Sequence, residues 1–183
     1  MERDLNKLAA EIHADNSRWW HDLETGERLN RNKGELLMLC VSELAECMEG
    51  ERKSKPNAPV MDDHLPERVM AEVELADTLI RIFDLAGGFG LKLHNVSVGY
   101  EIDNRGEILL RIVSRITDAY WGAMNDDSDF VEDALSYAVG AIYGYAAKFG
   151  YDVDGAMAEK RAYNKVRVDH TKEARMAEGG KAW

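Results

Sequence analysis

Leu36-Leu37-Met38-Leu39-Cys40-Val41-Ser42-Glu43-Leu44-Ala45-Glu46-Cys47-Met48 is the stretch on which the fold turns. Its only polar residues are Ser42, Glu43 and Glu46. Leu37, Cys40, Val41, Leu44 and Met48 repeat at helical spacing and make one apolar face, with Leu36, Leu39 and Cys47 on its flank. A helix that is apolar nearly all round belongs at the centre of a bundle. Glu43 and Glu46 stand three apart, so they share a face and repel. Two ionised carboxylates in an interior helix cost several kcal/mol unless a cation compensates them.

Residues 67–86 pose the same problem. Glu74, Asp77, Arg81 and Asp84 fall at i, i+3, i+7 and i+10, one narrow stripe among Val73, Leu75, Ala76, Leu79, Ile80, Ile82 and Phe83. With the two helices side by side, Glu43, Glu46, Glu74 and Asp77 face one another. Hard oxygen donors without His or Cys select Mg²⁺, with Mn²⁺ as a substitute. Asp84 is expected to pair with Arg81. His64, His94 and His170 have no ligand partner at i+3 or i+4, which argues against a Glu-x-x-His di-iron bundle.

Outward from these helices the chain reads as all-α. Pro56, Pro59 and Pro66 are its only prolines, and strand-like alternation is scarce. Helices are expected at about 3–20, 33–52, 67–86 (ending at Gly87-Gly88), 92–103, 105–124 and 129–148. A last one starts near Asp152, and Gly179-Gly180 makes a loose end. The expected architecture is a single domain over 1–183, a helical bundle with a four-helix core. A faint repeat supports two packed hairpins, 33–104 and 105–167. Glu35–Ser42 resembles Glu107–Ser114, and Gly88-Phe89-Gly90-Leu91 resembles Lys148-Phe149-Gly150-Tyr151.

The chain has 183 residues and a net charge of −11. Its last 24 residues carry seven basic and three acidic side chains, +4, which leaves −15 for the first 159. A body this acidic is not expected to bind polymeric nucleic acid or an anionic membrane. No apolar run approaches the ~20 residues of a spanning helix. The charged start Met1-Glu2-Arg3-Asp4, with no signal-peptide core behind it, points to the cytoplasm. So do Cys40 and Cys47, which sit about 10 Å apart by helical rise, too far for a disulfide.

Lys160, Asn164 and Arg167 share one face of the last helix and offer a point charge, an amide and a bidentate fork, which suits phosphate. The alternative is a solvated basic helix end. Upstream, Asn16 suits a nucleobase edge and Trp19 or Trp20 a stacking surface, although at least one indole is expected in the core. Lys53 and Lys55 open a Pro-rich loop, 54–66, that either closes over phosphates or simply connects two helices.

Ser42-Glu43-x-x-Glu46, Glu74-x-x-Asp77 and Lys160-x-x-x-Asn164-x-x-Arg167 resemble, in order, the motifs of the all-α NTP pyrophosphatases, the MazG-like and dimeric-dUTPase superfamily, with the closest likeness to MazG-like proteins of phage type. The likeness covers about 1–90 and 150–170. It implies a homodimeric helical bundle that hydrolyses a nucleoside triphosphate between the α and β phosphates. Glu43, Glu46, Glu74 and Asp77 would hold Mg²⁺, and Lys160, Asn164 and Arg167 would hold phosphate or sugar. Ser42 stands where that family often has a leading Glu, so Glu46 or a metal-activated water would provide the base. About sixty residues, 92–150, separate motifs that lie closer in short members. A fused pseudo-dimer accounts for them, with Arg115 and Tyr137 standing in the second copy where Glu43 and Asp77 stand in the first. Rival readings are a dUTP-specific enzyme, a nucleotide or alarmone binder without turnover, and a helical interaction module.

Overall fold

The structure is a computed structural model that describes residues 2–167 and 171–177. Gly179-Gly180 and His170 lie outside the described residues. The order is α1 (Leu5–Asp15), a 3-10 turn (Ser17–Trp19), α2 (Lys33–Lys53), α3 (Met70–Phe89), α4 (Arg105–Met124), α5 (Ser128–Phe149), α6 (Val153–Val166) and a short α7 (Lys172–Met176). Among the described residues there is no strand, only three isolated bridges. Six helices begin on a side-chain cap: Asp4, Asn32, Asn104, Asp127, Asp152 and Thr171 each accept a backbone N–H three residues on.

The four-helix core is two hairpins, α2 on α3 and α4 on α5, joined through α2 on α4 and α3 on α5, with α1 and α6 flanking α3. The centre is α3, not α2 as its composition suggests. Fourteen residues of α3 are buried, whereas Met38 and Met48 of α2 face solvent. Leu36, Leu37, Cys40, Leu44 and Cys47 give α2 its packed apolar face. The two free thiols are buried, and burial pushes Cys40 up to about 12.

Three boundaries differ from the sequence reading. The expected first helix ends early, at Asp15, and gives way to the 3-10 turn. Gly87-Gly88 does not stop α3, which runs to Phe89 and ends on Gly90 in the left-handed conformation. The two glycines are packing gaps. A Cβ on Gly87 would lie 2.6 Å from the Ala9 carbonyl, and one on Gly88 would lie 2.2 Å from the Trp20 ring. The expected helix at 92–103 is an extended strap. Val96, Val98, Tyr100 and Ile102 alternate inward along it, and β-branched residues at period two favour extended chain.

The hairpins begin and end alike. Asn32 caps α2 through Glu35, and Asn104 caps α4 through Glu107. Gly90 and Gly150 close α3 and α5 in the same left-handed conformation. The likeness stops at the third element, which is α6 against α3 but the strap against α5. Glu51 ties the pieces together at the end of α2. Its carboxylate accepts from Tyr145 (2.6 Å), Tyr151 (2.8 Å) and Arg105.

The strap's closeness to α5 is testable. A Cβ on Gly140 would come within 2.3 Å of the Val96 carbonyl, while one on Gly99 meets nothing within 4 Å. Gly140→Ala should destabilise by about 1–3 kcal/mol and Gly99→Ala by almost nothing, read by chemical denaturation.

Candidate functional site

The sequence puts carboxylates on the facing sides of α2 and α3, and the folded chain brings three of them together. Glu43, Glu46 and Glu74 each place an oxygen within 4.8 Å of the others. Glu43 and Glu74 are buried and Glu46 is exposed. The side chains of Glu46 and Glu74 make no hydrogen bond or ion pair among the described residues. Glu43 is held by Arg81 at 3.0 Å. Burial, then the neighbouring charges of Asp77 and Glu43, push the Glu74 carboxyl up to about 9. A proton on Glu74, or a cation among the three groups, would relieve their mutual repulsion.

Asp77 stands beside this group but is not in it. Its carboxylate takes the Lys160 ammonium at 2.8 Å, and both side chains are nearly out of solvent. Burial raises Asp77 despite that partner. Burial opposes the charge on Lys160 as well, but Asp77, with Asp62 and Glu74 beyond it, makes the net shift upward. Lys160 is therefore neither a solvated helix end nor an unpaired point charge. Two hubs hold α6 where this pair can form. Arg68 spans Glu72 (2.6 Å) and Glu159 (2.7 Å), and Arg161 and Lys165 both reach Asp15.

Next to the carboxylates lies a cavity of about 310 Å³. Asn16, Trp19, Lys160, Asn164 and Arg167 all line it, although they come from three elements. Asp77 and Arg81 belong to both the cavity wall and the surroundings of the acidic cluster. Asn164 Oδ1 is buried without a hydrogen-bond partner among the described residues.

Two expected binding residues are elsewhere. Trp20 is 1% exposed, packs beneath Gly88 and donates its indole N–H to Asp84 at 3.0 Å, so it is core. Lys53 pairs with Glu49 at 2.9 Å on the outer face of α2, one helical turn away, and does not line the cavity. The Pro-rich loop is built from tight turns, with Asp62 accepting the backbone N–H groups of His64 and Leu65. His64 lies against Tyr163 of α6.

Asp84 does not pair with Arg81. Arg81 turns to α2, while Asp84 points toward α1, where His13 Nδ1 lies 2.8 Å away. Both still line the cavity, so the stripe carried the signal and only their partners were misassigned. Arg31 was missed altogether. It is 8% exposed, donates to the Trp19 carbonyl at 2.5 Å and completes the wall. It stands alone in a polar stretch, and no periodicity marks it.

Comparison with family models, with curated proteins and with solved structures finds no match.

The residues fit a hard divalent cation. Three carboxylate oxygens converge, two of the groups are otherwise unpartnered among the described residues, and the group itself contains no His or Cys. Mg²⁺ bound there would displace the Glu74 proton. The sign is then fixed for the protein without metal. A carboxyl raised from 4.5 to about 9 contributes stability at low pH that is lost as pH rises through that range. Thermal melts of the metal-free protein should show this loss, Glu74→Gln should flatten it, and Mg²⁺ should stabilise the wild type most at high pH.

Proposed function

We propose that the chain is a Mg²⁺-dependent nucleoside triphosphate pyrophosphohydrolase, of the all-α MazG-like kind that its motifs resemble. The reading rests on one juxtaposition. A set of under-compensated carboxylates adjoins a cavity of nucleotide size whose wall mixes cations, amides and an indole.

In this reading Glu43, Glu46 and Glu74 hold the cation, with Asp77 at the border. When bound, Mg²⁺ neutralises the triphosphate and makes the attacking water more acidic. Glu46 is exposed and unpartnered, so it is placed to accept a proton from a water that attacks the α-phosphorus. Arg81 fixes Glu43 and stands between the carboxylates and the cavity. Lys160 and Arg167 supply positive charge along the phosphates, and Asn164 offers an acceptor to a sugar hydroxyl. Pyrophosphate leaves, and the nucleoside monophosphate remains with the base end of the cavity.

Binding without turnover is favoured by one observation. The Ser42 hydroxyl donates to the Leu39 carbonyl of its own helix at 2.8 Å. It therefore offers nothing at the position where the resembling family often has an acid. An assay with Mg²⁺ over the common NTPs and dNTPs separates the two, because only the enzyme releases pyrophosphate.

Glu43→Ala and Lys160→Ala should each abolish turnover, while Asp118→Ala, which removes an exposed partner of Arg115, should retain it. Lys160→Ala should also lower stability by about 3–5 kcal/mol, because it leaves Asp77 buried and unpaired. Loss of activity in the Asp118 variant contradicts a single site on α2 and α3.

A further inference from the structure

We propose that the far end of the cavity selects guanine and that Asp84 is the specificity-determining acceptor. This rests on the reading of the cavity as a nucleotide site.

Asp84 is 8% exposed and has only half of its acceptor capacity filled. Oδ1 takes both of its partners, the Trp20 indole N–H and His13 Nδ1. Oδ2 has no hydrogen bond among the described residues, although the side chain lines the cavity. A carboxylate has about four acceptor positions. The fixed donors on Oδ1 hold the group in place and leave two positions on Oδ2 for whatever enters. Leaving a buried charge with empty acceptor sites is costly, so an occupant with matching donors gains most.

Position along α3 says which part of a nucleotide reaches it. Asp84 is seven residues beyond Asp77 and ten beyond Glu74, or about 10 and 15 Å at the helical rise. With the triphosphate at the carboxylate end, that distance carries the nucleoside to its base edge. The walls there are suited to a flat ring, with Trp19, Leu36, Leu39 and Ile80 around it.

The base edges then divide. Guanine presents two adjacent donors, N1–H and the 2-amino group, to a single oxygen with two open positions. Adenine and cytosine present one amino donor beside a ring-nitrogen acceptor, which sets lone pair against lone pair. Uracil and thymine present one N–H between two carbonyls, with the same conflict on both sides. Arg31 adds the complement. One of its N–H groups is fixed on the Trp19 carbonyl, and its charge interacts with Asp84. It thereby offers donors near guanine O6. A site whose buried acceptor needs a substrate N–H discriminates strongly against analogues that lack it.

Calorimetric binding of GMP, IMP, AMP, CMP and UMP without metal tests the selection apart from catalysis. GMP should bind tightest, by roughly 10- to 100-fold over AMP, CMP and UMP, with IMP, which lacks the 2-amino group, in between. Asp84→Asn turns a donor or a weaker acceptor to the cavity and should collapse the GMP-to-AMP ratio. Equal binding of all five, tighter binding of another base, binding of none, or an equal loss for all five in Asp84→Asn would overturn the proposal. The wild-type series decides alone if that variant does not fold. Hydrolysis of GTP and dGTP against the other triphosphates keeps the two readings apart. Guanine-selective binding without pyrophosphate release refutes the enzyme and keeps the selectivity. Indiscriminate hydrolysis does the reverse.

Discussion

The ion pair between Lys160 and Asp77 is the contact on which the site depends. It is formed almost out of solvent, so each charge would be costly without the other. Its geometry requires α6 to lie along α3 in one register, which Arg68 enforces at one end and Asp15 at the other. Once α6 is docked, its next turns carry Asn164 and Arg167 to the same opening. The pair also takes up Asp77, as Arg81 takes up Glu43, and leaves Glu46 and Glu74 as the carboxylates of the cluster without a partner among the described residues.

The charge asymmetry of the chain has a local counterpart here. Acid accumulates where α2 meets α3, and base arrives on the last long helix and the segment after it. Arg175 of α7 is 5% exposed, donates to the Arg18 carbonyl and stacks on Trp19 at 4.0 Å. Arg175 thereby brings the described part of the basic end back against Trp19, which lines the cavity. Where it meets the acidic body, the charges are interleaved. Arg81 pairs with Glu43 and lines the cavity, Lys160 and Asp77 line it as an ion pair, and Arg31 stands near Asp84. The wall of the cavity therefore carries both signs, with Arg31, Arg81, Lys160 and Arg167 beside Asp77 and Asp84.

The helices that carry the site were legible because their apolar positions repeat at 3.6 and their acids fall on one stripe. What the pattern could not supply was partner choice. Arg81 had an acid three residues on, yet it reaches across to Glu43, because α2 lies on its side and Asp84 points toward α1. Trp20 looked like a ligand platform from its neighbours in sequence. It became core because Gly88 leaves room for its ring, and the same glycine pair was misread as a helix stop. Lys53 failed for a simpler reason: a helix-end lysine with a glutamate one turn back pairs locally. The strap was hidden by a helical expectation, although Val96, Val98, Tyr100 and Ile102 carry the alternation that identifies it.

The two hairpins begin and end alike, yet among the described residues only the first carries the acidic cluster, and the residues show why. Opposite Glu43 and Asp77 stand Arg115 and Tyr137. Arg115 lies over the Tyr137 ring at 4.7 Å and pairs with Asp118 at 2.9 Å. A cation and a ring there satisfy each other and leave no excess negative charge to attract a metal. At the offset that aligns Gly90 with Gly150, Ile80 and Asp84 correspond to Gly140 and Gly144. Ile80 and Asp84 face the cavity. Gly140 and Gly144 instead lie against the backbone of Val96 and Val98, at distances no side chain would allow. An extended strap has no side-chain radius of a helix to hold it away from its neighbour, so it settles onto the glycines and fills the space. In the first hairpin the third element is a helix, which stands off from α3 and leaves room. The difference between a cavity and a sealed surface thus comes down to whether the third element coils or extends.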